Sequence, residues 1–241
     1  MIAASAIDVC TEYNLPLAVE DFVPVILAGA AFVILAGAVR ARIPRAYGIA
    51  LAGGLLVTLG GLAKATWKTL VASGCWDYPI LENLLFPCIA GGFAAVAWAA
   101  MSMVKGREVS PWPYVLFPAA AGIGAAWMSI SSGSYENWPL LIAAAVGASV
   151  LGITLAVAAF KAGKTSVGVL LVIYTVGTNC LPPLAAQPDQ SLELQWGEQL
   201  TNSAVQLCFL LSALWLREHF TRLGPASTRT AAADDTTGVT A

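Results

Sequence analysis

The chain carries little charge. Asp, Glu, Lys and Arg make up 11% of its 241 residues, while 58% are hydrophobic; a soluble domain carries roughly 25% charged residues. That excludes an ordinary water-soluble domain and points to a polytopic membrane protein. Histidine is scarcer still: His219 is the single one, and it stands among Arg217 and Arg222. Five cysteines are present, yet none forms a C-x-x-C or a Cys/His pair at metal-ligand spacing, so no metal centre is expected. A haem between helices needs two axial side chains, commonly His or Met, and no cofactor is expected. No basic cluster is interleaved with aromatics, which excludes nucleic acid as a partner. No cationic start precedes a short apolar core; Asp8, Glu12, Glu20 and Asp21 occupy that region instead, and no cleavable signal peptide is expected. There is no G-x-S-x-G, no phosphate-cradling glycine loop and no Ser/His/Asp set, so an enzyme is the least supported class.

What the chain does have is long apolar runs. A membrane-spanning helix needs about 20 mostly apolar residues. Seven segments meet this: Phe22–Val39, Ala46–Ala65, Ile80–Val104, Trp112–Ile130, Trp138–Phe160, Thr165–Leu184 and Glu198–Leu216. They are too long, and too lacking in dyad alternation, to be barrel strands. With the N-terminus outside, Arg40, Arg42, Arg45, Lys105, Arg107, Lys161, Lys164, Arg217, Arg222 and Arg229 all fall inside, and Lys64 and Lys68 alone fall outside. This positive-inside bias predicts an N-out, C-in topology in a bacterial cytoplasmic (inner) membrane. Trp67, Trp76, Trp112, Trp138 and Trp196 stand near predicted ends, as an interfacial aromatic belt would. The expectation is an all-α, seven-helix bundle over 22–216. An extracytoplasmic segment, 1–21, precedes it. A polar cytoplasmic tail, 217–241, follows and is expected to be disordered. Pro87 and Pro118 are expected to kink the third and fourth spans, and Pro182 and Pro183 to break the far end of the sixth.

Spans one to three resemble spans five to seven. Pro24 and Pro139 open the first and fifth, Gly48 stands against Gly168, and Glu82-Asn83 against Glu198-Gln199. Cys75 and Cys180 both precede an outer turn, which suggests a disulfide between them, with Cys10 as the competing partner. A 3+1+3 arrangement of parallel units resembles, in layout, the SWEET sugar transporters. No SWEET or PQ-loop motif accompanies it. The N-out, seven-span layout also resembles the rhodopsins. The retinal-binding lysine that this family carries on its last helix is missing, since Leu192–Leu216 contains no Lys.

The seventh span carries a polar row: Glu198, Asn202 and Gln206 stand four apart, with Gln199 and Ser203 beside them. Residues four apart share a helix face, and unpaired polar groups in hydrocarbon cost several kcal/mol each. The row is therefore expected to face protein or water. Glu82 and Glu198 read either as solvated carboxylates at helix N-termini or as acids at a cavity mouth. Lys64 either snorkels to water or pairs with Glu82 or Glu198. Together Lys64, Glu82, Asn83, Asn179, Glu198, Asn202 and Gln206 are expected to form one polar cluster between spans three, six and seven. Its ligand would be a small solute or cation. The function expected is a transporter or permease. The alternative is a non-catalytic subunit of a membrane complex, or a receptor-like protein. Membrane lipid is the certain neighbour of such a chain, with a homo-oligomer or partner membrane subunits as further expectations.

Overall fold

A computed structural model of the chain describes residues 13–185 and 191–226, the side chains of 182–185 excepted. Among these residues there are α-helices, one 3-10 turn and no strand. The helices are α1 (Leu15–Glu20), α2 (Phe22–Arg42), α3 (Tyr47–Gly74), α4 (Pro79–Asn83), α5 (Leu85–Lys105), α6 (Trp112–Ser132), α7 (Trp138–Lys161), α8 (Thr165–Ala185) and α9 (Leu192–Leu223), with the 3-10 turn at Pro44–Ala46. Six stretches are long and apolar enough to cross a membrane: Leu15–Arg42, Pro44–Gly74, Pro79–Lys105, Trp112–Ser132, Trp138–Lys161 and Leu192–Leu223. The apolar helix Thr165–Ala185 lies among them, packed on α7 and α9. The protein is thus a helical bundle suited to a membrane.

Two rods are interrupted, and each interruption has a proline three residues later. Asp21 separates α1 from α2, ahead of Pro24; Leu84 separates α4 from α5, ahead of Pro87. A proline has no N–H for the carbonyl four residues back, and its ring crowds that carbonyl. The carbonyls concerned are those of Glu20 and Asn83. One other expectation does not hold: α8 continues through Pro182 and Pro183 to Ala185. Pro118 lies inside α6, which is helical on both sides of it. Several ends also lie further out than composition suggested: α3 reaches Gly74 and α9 reaches Leu223. The amide of Ala226 then donates to the carbonyl of Arg42 at 3.2 Å. Residues 1–12 and 227–241, including most of the expected tail, lie outside the described residues.

The helices close a ring. Helix α2 packs on α3, α3 on α5, α5 on α7, α7 on α8, α8 on α9, and α9 back on α2. Helix α6 stands outside it against α7 and α5, with Ala125 its one buried residue. The α3–α5 seam is close because both backbones are bare at the crossing. A Cβ on Gly92 would fall 2.7 Å from the carbonyl oxygen of Gly53, and one on Gly53 would fall 2.9 Å from that of Gly92. Small residues permit this approach where lipid offers no hydrophobic drive for association.

Aromatic side chains plug the middle of the ring. Phe32 of α2 meets Phe93 of α5 edge-on at 6.0 Å and Phe209 of α9 at 5.2 Å, and Phe209 stacks on Tyr174 of α8 at 4.3 Å. All four are buried.

Candidate functional site

The site is built around one face of α3. Lys64 and Lys68 stand four residues apart, so they lie one above the other. Each meets an acid carried on one of the short helices or at its break. Lys64 Nζ lies 2.7 Å from Glu82 Oε1 on α4, and Lys68 Nζ lies 2.7 Å from Asp21 Oδ2 at the α1–α2 break. The two pairs differ in depth. The side chains of Lys68 and Asp21 are 14% and 10% exposed, those of Lys64 and Glu82 24% and 35%.

Aromatics hold the lysines in place. Lys64 Nζ sits 4.3 Å from the centre of the Trp67 ring, within cation–π range. The indole N–H of Trp67 donates to Asp77 Oδ1 at 2.8 Å, which fixes the ring. Tyr13 stands edge-on to Trp67 at 5.8 Å, with Lys68 Nζ 5.2 Å from its ring centre. Ser203 of α9 donates to Glu20 Oε1 of α1 at 2.7 Å, tying these two helices together, and Glu198, Gln199 and Asn202 of α9 face the lysines across a space.

Between these walls lies a cavity of about 450 Å³. Its polar lining is Asp21, Lys64, Lys68, Glu198, Gln199 and Asn202; its apolar lining comes from α2, α3, α5, α7 and α8, with Phe86 and Ile89 the largest groups on α5. The aromatic plug lies deeper on four helices. Phe32 is seven residues beyond Val25, Phe93 four beyond Ile89, Tyr174 seven before Leu181, and Phe209 seven beyond Asn202. At 1.5 Å per residue this puts the plug about 6–10 Å below the lining. The cavity thus stands above the aromatic plug, whose four rings do not themselves line it.

The expected cluster is met in part. Lys64, Glu198 and Asn202 line the cavity. Glu82 reaches it through Lys64, and Gln206 Nε2 donates to Asn202 Oδ1 at 3.3 Å, extending the polar row one turn down. Asn83 and Asn179 do not join. Asn83 Oδ1 accepts from Asn137 Nδ2 at 3.1 Å, tying α4 to the start of α7. Asn179 Nδ2 donates to Ser149 Oγ at 3.0 Å and to the Thr175 carbonyl at 2.7 Å, so its amide serves the α7–α8 seam. Both asparagines find neighbours closer than the cavity.

Three lining groups, Asp21, Lys68 and Gln199, fall outside the expected set. Asp21 stood in a segment taken to precede the bundle, whereas residues 15–20 are helical and run into α2. Pro24, three residues on, was the sign of a break that brings Asp21 inside. The cysteine expectation is corrected as well. Cys75 is disulfide-bonded, but Cys180 is a free thiol, as are Cys88 and Cys208. The competing partner, Cys10, lies outside the described residues. Equivalent positions in two similar units need not be neighbours, and a disulfide requires Cα atoms within about 7 Å. In comparisons with protein-family models, curated proteins and solved structures, none matches this chain.

Proposed function

We propose that the protein is a seven-span integral membrane transporter or permease for a small solute, with its N-terminus outside and the cavity open to that side. The observation that carries this reading is a charged cavity at one end of a helical ring whose middle, about two turns further along, is plugged by aromatic side chains. A ligand pocket usually measures about 300–1,000 Å³ and joins apolar walls to a few placed polar groups. The cavity has that size and that mixture. Two lysines, two paired acids and Glu198 suit a small solute with a cationic or zwitterionic head. The aromatic plug then serves as the barrier that must part for the solute to pass.

The order of helices in the ring supports two three-helix units, α2–α3–α5 and α7–α8–α9, with α6 as the external link. Exchanging one unit for the other carries the α2–α9 contact onto the α7–α5 contact. Parallel repeats with a site at their interface are a known transporter architecture.

The test begins with the purified full-length chain and a panel of small cations, amines, amino acids and sugars. A panel member that raises the thermal midpoint is then tested for uptake into proteoliposomes. Glu198→Gln is expected to abolish both effects while moving the unliganded midpoint little. A midpoint that drops in Glu198→Gln, with no panel member acting on either protein, would make the polar row interhelical glue. A single Cys at Asn202 is expected to react with an impermeant thiol reagent from one side of sealed vesicles. An Asn202→Cys protein that reacts from neither side would mean a dry bundle, and the proposal would fall.

A further inference from the structure

The other end of the bundle carries a second site, between α2 and α9. On α2, Val33, Gly37 and Arg40 are spaced by four and three, so they form one stripe that is apolar at one end and cationic at the other. Arg217 of α9 lies across the middle of it. A Cβ on Gly37 would meet Arg217 Nε at 3.6 Å and Cδ at 3.7 Å, ordinary van der Waals contact, so the arginine side chain lies alongside this position. Arg40 is held from the other side, its guanidinium carbon 5.3 Å from the centre of the Tyr47 ring. These residues, with Ile34, line a groove of about 520 Å³.

Both guanidinium groups are exposed in the groove, and neither has a carboxylate partner within salt-bridge distance among the described residues. The acid next to Arg217 is Glu218, and Arg222 pairs with it. Two arginines without acids, converging over a groove with an apolar lower half, are complementary to an anionic amphiphile. Guanidinium matches phosphate oxygens bidentately. From Arg40 to Val33 is seven residues, about 10 Å along the helix, which reaches from headgroup level to the upper acyl chain. Basic pockets between membrane helices bind anionic headgroups in this manner.

We propose that this groove binds an anionic glycerophospholipid, its phosphodiester on Arg40 and Arg217 and an acyl chain along Val33 and Ile34. The site is separate from the cavity at the other end and does not depend on transport. Native mass spectrometry of the full-length protein tests it, with phosphatidylglycerol, phosphatidylcholine of the same chains, and inorganic phosphate as probes. The wild-type protein is expected to retain phosphatidylglycerol in preference to phosphatidylcholine. One arginine near an anionic headgroup is worth about fivefold in affinity, so Arg40→Gln with Arg217→Gln should cut that preference about thirtyfold. Arg107→Gln with Lys161→Gln, basic residues at the same end but outside the groove, should leave it unchanged. Equal retention of both lipids, or a preference that survives loss of both groove arginines, would overturn the proposal. So would competition by inorganic phosphate alone at equal concentration, which would mark a free-anion site. The substituted side chains, Arg40, Arg217, Arg107 and Lys161, are exposed, so both variants are expected to keep the wild-type thermal midpoint.

Discussion

The buried pair Lys68–Asp21 should matter far more to stability than the shallower pair Lys64–Glu82, although both measure 2.7 Å. At an effective dielectric constant of about 20, unit charges at that distance attract by about 6 kcal/mol. Desolvation cancels most of this for a buried pair, so its net worth is small. Breaking it is another matter. Lys68→Met strips Asp21 of its ion-pair partner at a place where its side chain is 10% exposed, at a cost of about 3–5 kcal/mol. Lys64→Met loses a screened pair and a cation–π contact, at about 1–2 kcal/mol. For a chain of this size, 1 kcal/mol moves the midpoint by about 2–4 °C. The expected drops are therefore about 6–20 °C for Lys68→Met and about 2–8 °C for Lys64→Met. The assay is thermal unfolding in detergent followed by tryptophan fluorescence. Combining Lys68→Met with Asp21→Asn should recover most of the loss, because no charge is then stranded. Equal drops for the two lysine variants, or a double variant as unstable as the sum of the singles, would refute the argument from burial.

Three further outcomes are expected. Gly92→Ala should cost about 1–3 kcal/mol by forcing α3 and α5 apart, while Gly91→Ala, whose Cβ would meet nothing within 4 Å, should be neutral or slightly stabilising; equal thermal midpoints for the two variants would count against the close seam. Non-reducing peptide mapping should recover Cys75 in a cross-link and Cys180 as an alkylatable thiol, with Cys10 the expected partner; a Cys75–Cys180 peptide would contradict the arrangement of these loops. Single cysteines at Ser134 and Lys164, one at each end of α7, should react with impermeant reagents from opposite sides of sealed vesicles; reaction from the same side would break the proposed topology.

The helices were legible in the sequence because apolar length alone announces them. Their ends were not, and the reason is local pairing. Lys64 and Lys68 look like residues that end a span, yet α3 continues past both because Glu82 and Asp21 neutralise them. The polar row on α9 was legible from its spacing of four. Which neighbours it would meet was not. Asn179 is satisfied by Ser149 on α7, a residue that in sequence reads only as one small side chain in an Ala/Gly run. The aromatic plug was hidden for a similar reason. Phe32, Phe93, Tyr174 and Phe209 come from four helices, and only the closure of the ring brings them together.

The prolines connect the fold to the site. Pro24 and Pro87 each interrupt a rod near the cavity end of the bundle, and in each case the short helix beyond the break, α1 or α4, leads to an acid. An unbroken rod would keep Asp21 and Glu82 in strict helical register with α2 and α5. The breaks release both from that register, and both turn to α3, where two lysines one turn apart receive them. The cavity end of the ring is thereby held by ion pairs, while its middle is closed by aromatic contact and its α3–α5 flank by bare glycine backbone. Ion pairs beside an open cavity can exchange partners with an entering charged group at lower cost than pairs sealed in apolar packing. On the transporter proposal, a solute with a charged head would compete most readily for Lys64 and Glu82, the more exposed pair. The deeper pair, Lys68 and Asp21, would keep the α1–α2 break closed against α3 while that exchange takes place.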